Sequence, residues 1–172
     1  MAFEFSRYKI ELKWGLILGL CVSLWVMFEF LLGFHTTRME YGVYSGYIAS
    51  LIPLICLWYG VREVKKKFPQ MRFLQGFASG MCMVFFAALI VTSFFYVYNV
   101  YINPVWMDNG YRYVELQLNA SGMNQTQMSE QLVQLRSLYT LEGQLFAAFM
   151  GITLQGLIIS LAFAYMQRYR GE

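Results

Sequence analysis

A chain of 172 residues with 58% hydrophobic and only 13% charged side chains is not composed like a soluble domain, in which about 25% of residues are charged. Its length suits one unit, 1–172, without room for a second domain. The net charge of +3 is modest, and no basic face interleaved with aromatics points to nucleic acid.

Taken in chain order, Arg7, Lys9 and Lys13 precede a first apolar run, 14–34. A helix that crosses a bilayer needs roughly 20 mostly apolar residues at about 1.5 Å rise each, and this run is long enough. It exceeds a signal-peptide core, contains Glu29 and lacks a small-x-small cleavage pattern before His35. A permanent helix is therefore expected. Gly15, Gly19, Val22, Val26, Glu29 and Gly33 recur along it at steps of four and three, a seam for contact with another helix.

A short link near His35–Glu40 leads to a second span, 41–61, with its own seam of Gly42, Gly46, Ala49, Pro53, Cys56 and Gly60. Pro53 removes a backbone donor in mid-helix, so a kink is expected there. A basic link, 62–72, holds Arg62, Lys65, Lys66, Lys67 and Arg72. The third span, 73–101, opens with Gly76, Gly80, Met83 and Ala87. Three spans thus begin with GxxxG, and the alternation of steps suits left-handed crossings of about 20°. Packing within the chain is favoured, although self-association would use the same chemistry.

The polar segment 102–140 contains a turn-prone patch at Asn119–Gly122. Ser129 is placed to cap a helix carrying Leu132, Leu135, Leu138 and Tyr139 on one face. A short amphipathic helix is expected in this loop. The fourth span is 141–166, followed by Arg168 and Arg170. Basic residues gather at alternate ends of the spans, while Arg38, Arg112 and Arg136 on the other side are diluted by Glu40, Asp108, Glu115 and Glu130. That bias places both termini in the cytoplasm. The expected fold is an all-α integral membrane four-helix bundle.

Glu29 is the foremost candidate for a functional side chain. It lies about 7 Å inside the outer end of its span, and a charge at the bilayer centre costs on the order of 3 kcal/mol. It must either hold its proton or be paired with a donor. Thr92, Tyr96, Asn99 and Asn103 form one polar stripe in the third span, and Gln144, Ala148, Gly151 and Gln155 form another in the fourth. With His35 and Arg38 just past the first span, these suggest a polar nest in the outer half. One reading is a proton-responsive or ligand-contacting site. The other, favoured because polar contacts between helices commonly act as glue, is a hydrogen-bond clamp.

No metal or cofactor is expected. One histidine cannot build a metal site of the usual three or four protein ligands, and Cys21, Cys56 and Cys82 read as small packing residues. Asp108 is the only aspartate, and no P-loop, dinucleotide loop, HExxH or GxSxG motif is present. The chain is not expected to be an enzyme.

Several local motifs occur together: Trp14-Gly15-Leu16-Ile17-Leu18-Gly19, Glu29-x3-Gly33-x-His35, Tyr59-Gly60-Val61-Arg62-Glu63, Phe73-x-Gln75-Gly76-Phe77-x-Ser79-Gly80, Ile102-Asn103-Pro104 and Leu157-Ile158-Ile159-Ser160-Leu161. In this combination the chain resembles the small bacterial inner-membrane proteins classed as domain of unknown function 4199. The resemblance implies a four-span inner-membrane protein and brings no established activity, so no catalytic residue is carried over. The expected role is a structural or accessory subunit of the envelope, in contact with membrane lipids, that self-associates or docks on a membrane-protein partner. The alternative is a lipid- or solute-handling, transporter-like protein with a protonatable Glu29/His35 nest.

Overall fold

A computed structural model describes residues 8–122 and 124–168; Arg7 and Arg170, two of the basic residues that bear on orientation, lie outside the described residues. The helices are α1 (Lys9–Leu31), α2 (Met39–Ala49), α3 (Leu51–Lys67), α4 (Phe73–Val97), α5 (Trp106–Ala120), α6 (Gln125–Arg136) and α7 (Leu141–Gln167). A π turn, Tyr98–Ile102, extends α4, and a 3-10 turn, Ser137–Tyr139, leads into α7. No strand occurs among the described residues. Four stretches are long and apolar enough to cross a membrane: Lys9–Leu31, Met39–Lys67, Phe73–Ile102 and Leu141–Gln167.

The surface is that of a protein meant for hydrocarbon. Leu12, Leu16, Leu20, Leu24, Phe28 and Leu31 form an exposed stripe along α1. In water such a stripe would be an aggregation liability; against lipid tails it costs nothing. The buried residues are smaller on average: Leu18, Val61, Met83, Val84, Ala87 and Ala88 are fully enclosed. Cohesion here comes from close packing, because lipid removes most of the hydrophobic drive between helices.

Helix α4 occupies the centre. It runs parallel to α1 and antiparallel to α7, which cover it from two sides, while α3 bridges α1 and α7. Glycines set these distances. A Cβ on Gly15 would stand 2.7 Å from the Met83 carbonyl oxygen, and one on Gly19 2.8 Å from Ile90 Cβ. On the other side, a Cβ on Gly80 would stand 2.6 Å from Ser160 Oγ, and one on Gly156 would overlap Val84. A Cβ on Gly76 would meet Met71 and Ala164 at 3.0 and 3.4 Å.

Three expected packing glycines are corrected. Gly46 and Gly151 face open space: a Cβ added at either would have nothing among the described residues within 4 Å. Gly33 lies beyond α1 at φ +80°, where it turns the chain and does not pack a helix. A Cβ on Gly42 would meet Phe34 of the preceding turn, its carbonyl oxygen at 3.3 Å and its Cβ at 4.0 Å. In α7 the inward face is Ile152, Gly156, Ile159, Ser160 and Ala164, one step round from the expected Gln144–Ala148–Gly151–Gln155 stripe.

Boundaries also move. Helix α1 starts at Lys9, before Trp14, and stops at Leu31, before Phe34. The second span breaks at Ser50, between α2 and α3, three residues before Pro53. Pro53 has no N–H for the Ala49 carbonyl, and its ring crowds that carbonyl, so the break falls at this point. In the polar segment there are two helices. α5 was not anticipated, and α6 begins at Gln125 with Asn124 as its cap, accepting from Thr126 N at 3.3 Å. Ser129, the expected cap, instead donates to the Thr126 carbonyl.

At the end of the bundle rich in lysine, Lys13 Nζ meets Glu63 at 2.6 Å, and Trp14 Nε1 donates to the same carboxylate at 2.7 Å. This exposed pair fastens α1 to α3, though such pairs contribute about 1 kcal/mol or less.

The glycine pattern has a direct test in thermal unfolding of purified protein. Leucine at Gly80 or Gly156 should cost about 1–3 kcal/mol or more through overpacking, seen as a lowered Tm. Leucine at Gly46 or Gly151 should leave Tm close to wild type; equal losses at all four positions would contradict the assigned packing.

Candidate functional site

The end of α1 builds the site. Gly33 adopts the left-handed conformation at φ +80°, and the chain closes a Schellman motif in which Phe34 N donates to Glu29 O and Gly33 N to Phe30 O, both at 3.0 Å. Only glycine holds this conformation without strain. The reversal carries His35 back over the end of α1, where it is buried beside Glu29, itself 8% exposed.

Glu29 is approached from three directions. Trp25, one turn earlier on α1, donates from Nε1 to Oε1 at 2.9 Å. His35 Nε2 lies 3.3 Å from Oε2. Ser45, the one buried residue of α2, interacts with the same carboxylate. A carboxylate accepts only, so the arrangement satisfies Glu29 as an anion.

The other face of His35 reaches α4. Its Nδ1 lies 2.5 Å from the Tyr98 hydroxyl, which also accepts from Asn103 Nδ2 at 2.9 Å. In the Nε2–H tautomer of His35, the phenol donates to Nδ1 while accepting from Asn103, and Nε2–H serves Glu29. The bonds therefore point one way, from Asn103 through Tyr98 and His35 to the carboxylate.

The π turn makes this possible. Asn103 N donates to Tyr98 O at 2.7 Å, a bond spanning five residues where an α-helix spans four. The extra residue brings Tyr98 and Asn103 onto one side and buries Tyr98 and Asn99 together. Pro104 then ends the helix, since it cannot donate, and α5 starts at Trp106. The indole of Trp106 packs on His35 with ring centroids 4.4 Å apart. Its Nε1 donates to Gln144 Oε1 at 3.3 Å, and Gln144 Nε2 donates to the Leu138 carbonyl at 2.7 Å. The nest thus joins α1, α2, the π turn, α5 and the start of α7.

Of the expected nest residues, Glu29, His35, Asn103 and Gln144 come together here. Thr92 does not: its hydroxyl is buried without a partner among the described residues. Asn99 donates to the Phe95 carbonyl of its own helix at 2.8 Å, and its Oδ1 is likewise unpartnered. Gln155 reaches the Ser50 carbonyl, at the break between α2 and α3, at 3.4 Å. Arg38 and Tyr96 are exposed. Trp25, Ser45, Tyr98 and Trp106 were missed. Trp25 sits at i−4 from Glu29 and was discoverable from spacing; Tyr98 was hidden by the π turn.

Both oxygens of Glu29, both nitrogens of His35 and the Tyr98 hydroxyl are engaged by the protein itself. These contacts connect α1 to the π turn that extends α4. Among the described residues no group of three or more His, Cys, Asp or Glu is placed to hold a metal ion. The two cavities described open at the lysine-rich end, away from Glu29.

No curated protein and no solved structure matches the chain. A family match does exist, and it extends over residues 13–168, taking in every motif from Trp14 to Leu161. The helices and the nest are therefore those of a member of the family described as Protein of unknown function (DUF4199), to which this chain belongs.

Proposed function

We infer that this chain is a non-catalytic inner-membrane protein of the bacterial envelope, with both termini cytoplasmic, that acts as a structural or accessory subunit. It self-associates or docks on a membrane-protein partner through the α5–α6 segment. The observation that carries this reading is the self-sufficiency of the Glu29 nest, whose acceptors and donors are used to tie the loop helices to the bundle. Gly110 of α5 lies flush on Tyr139, and Tyr111 packs edge-on against the same ring at 5.9 Å. A platform held this firmly leaves Leu116 and Val133 exposed, available to another protein. The cytoplasmic placement rests on the basic residues of α1, α3 and the link to α4. A lipid- or solute-handling role at Glu29 and His35 needs access to them, and both residues are buried.

Glu29→Ala should lower Tm and speed proteolysis between α5 and α6, because each donor left without its acceptor costs about 1–3 kcal/mol. Glu29→Gln, which keeps one acceptor, should fall between. Unchanged stability together with an altered cellular phenotype would favour the solute-handling role instead.

Photo-crosslinking residues at Leu116 and Val133, in intact cells, should yield adducts with a second copy of the chain or one defined membrane protein. Reporters fused near residue 70 and at the C-terminus should be active in the cytoplasm, and one inserted at Gly122 on the far side. Reversed reporters, or adducts with lipid alone, would sink the reading.

A further inference from the structure

The nest at one end of the bundle has a counterpart at the other that is not self-sufficient. Glu11, in the first turn of α1, is 6% exposed. Ser79 of α4 donates to its Oε1 at 2.9 Å, while Oε2 is buried and has no partner among the described residues. A buried carboxylate oxygen without a donor is costly. Glu11 and Ser79 form part of the wall of a cavity of about 700 Å³, within the range of small-molecule sites. Met71 and Phe68 supply apolar wall, and Lys67 and Arg72 supply two cations. Neither cation has a carboxylate partner among the described residues.

This combination selects by charge. An anion alone would leave Glu11 Oε2 without a donor, and a simple cation would leave Lys67 and Arg72 without a counter-charge. A zwitterion with its cation at Glu11 and its anion at the basic residues satisfies both. The missing contact at Oε2 further requires an N–H or O–H donor, which a primary ammonium has and a quaternary ammonium lacks. The cavity lies between the first turns of α1 and α4 and the last turn of α3. Basic residues there mark the level of lipid headgroups. We propose that this cavity binds a primary ammonium tethered to a phosphate, the headgroup chemistry of phosphatidylethanolamine, with the ammonium at Glu11 and the phosphate at Lys67 and Arg72. The assignment is independent of the Glu29 nest and of the proposed docking role.

Full-length protein reconstituted in nanodiscs of equimolar phosphatidylethanolamine, phosphatidylcholine and phosphatidylglycerol, then released for native mass spectrometry, tests this directly. Wild type should retain phosphatidylethanolamine in preference to both others. The preference should fall roughly tenfold in Glu11→Gln, the size expected for loss of a hydrogen bond to a charged group. Lys67→Ala combined with Arg72→Ala should reduce retention of phosphatidylethanolamine and leave Tm in detergent near wild type. A parallel titration with soluble phosphoethanolamine separates the sources. Saturable binding there that depends on Glu11, without lipid retention, assigns the same chemistry to a soluble ligand. Equal or better retention of phosphatidylglycerol by wild type, or selectivity unchanged in Glu11→Gln, overturns the proposal; the wild-type comparison decides even if a variant fails to fold.

Discussion

Everything in this bundle depends on how near α4 can come to its two neighbours. In hydrocarbon the side chains of Leu24 or Phe28 lose nothing by facing lipid, so burial alone does not tell one helix face from another. What lipid cannot match is dense contact between backbones. Gly15 admits the Met83 carbonyl on one side of α4, and Gly156 admits Val84 on the other. A methyl group at either position would separate the pair and weaken dispersion along the whole interface, since attraction falls steeply with a gap of under about 1 Å. The enclosed core of Leu18, Met83, Ala87 and Ala88 exists because those approaches exist.

The close approach also decides where polar side chains can be accommodated. Along the middle of α4 the neighbours are too near for bulky polar groups, and the buried residues there are Met83, Val84, Ala87, Ala88 and Val91. Where α1 ends and α4 widens into its π turn, space opens for Glu29, His35 and Tyr98. Where the bundle begins, between α1, α3 and α4, space opens again around Glu11. The two polar regions differ in one physical respect. The carboxylate of Glu29 is met by the protein's own donors, and that of Glu11 keeps one oxygen without a donor among the described residues.

Much of this was legible in the sequence, and the losses have physical causes. Four apolar stretches announce four spans because length and hydropathy are what a bilayer imposes. The lines through Gly15 and Gly19, and through Gly76 and Gly80, were visible as spacing. The spacing at Gly46 and Gly151 looked the same and faces open space; with lipid as apolar as the core, no polar face marks which side turns outward. Gly33 satisfied the spacing of a seam while serving as a left-handed helix end. Helix α5 went unread because Asn109 and Gly110 are poor helix formers, and contact between Gly110 and Tyr139 overrides that preference. Tyr98 was missed because a period of about 3.6 assumes an uninterrupted α-helix. One bond from Asn103 to Tyr98, spanning five residues, shifts that period.

The break at Ser50 has a mechanical consequence. Met39–Lys67 comprises 29 residues, about 44 Å if straight, against a hydrocarbon layer of roughly 30 Å. Helix α2 has a single buried residue, Ser45, so its grip on the bundle is slight compared with that of α3. A change in bilayer thickness must be taken up by tilt or bending somewhere. The segment with the weakest hold, pivoting where Pro53 has already cost a hydrogen bond, is the one that yields, and Ser45 would carry that tilt to the carboxylate of Glu29.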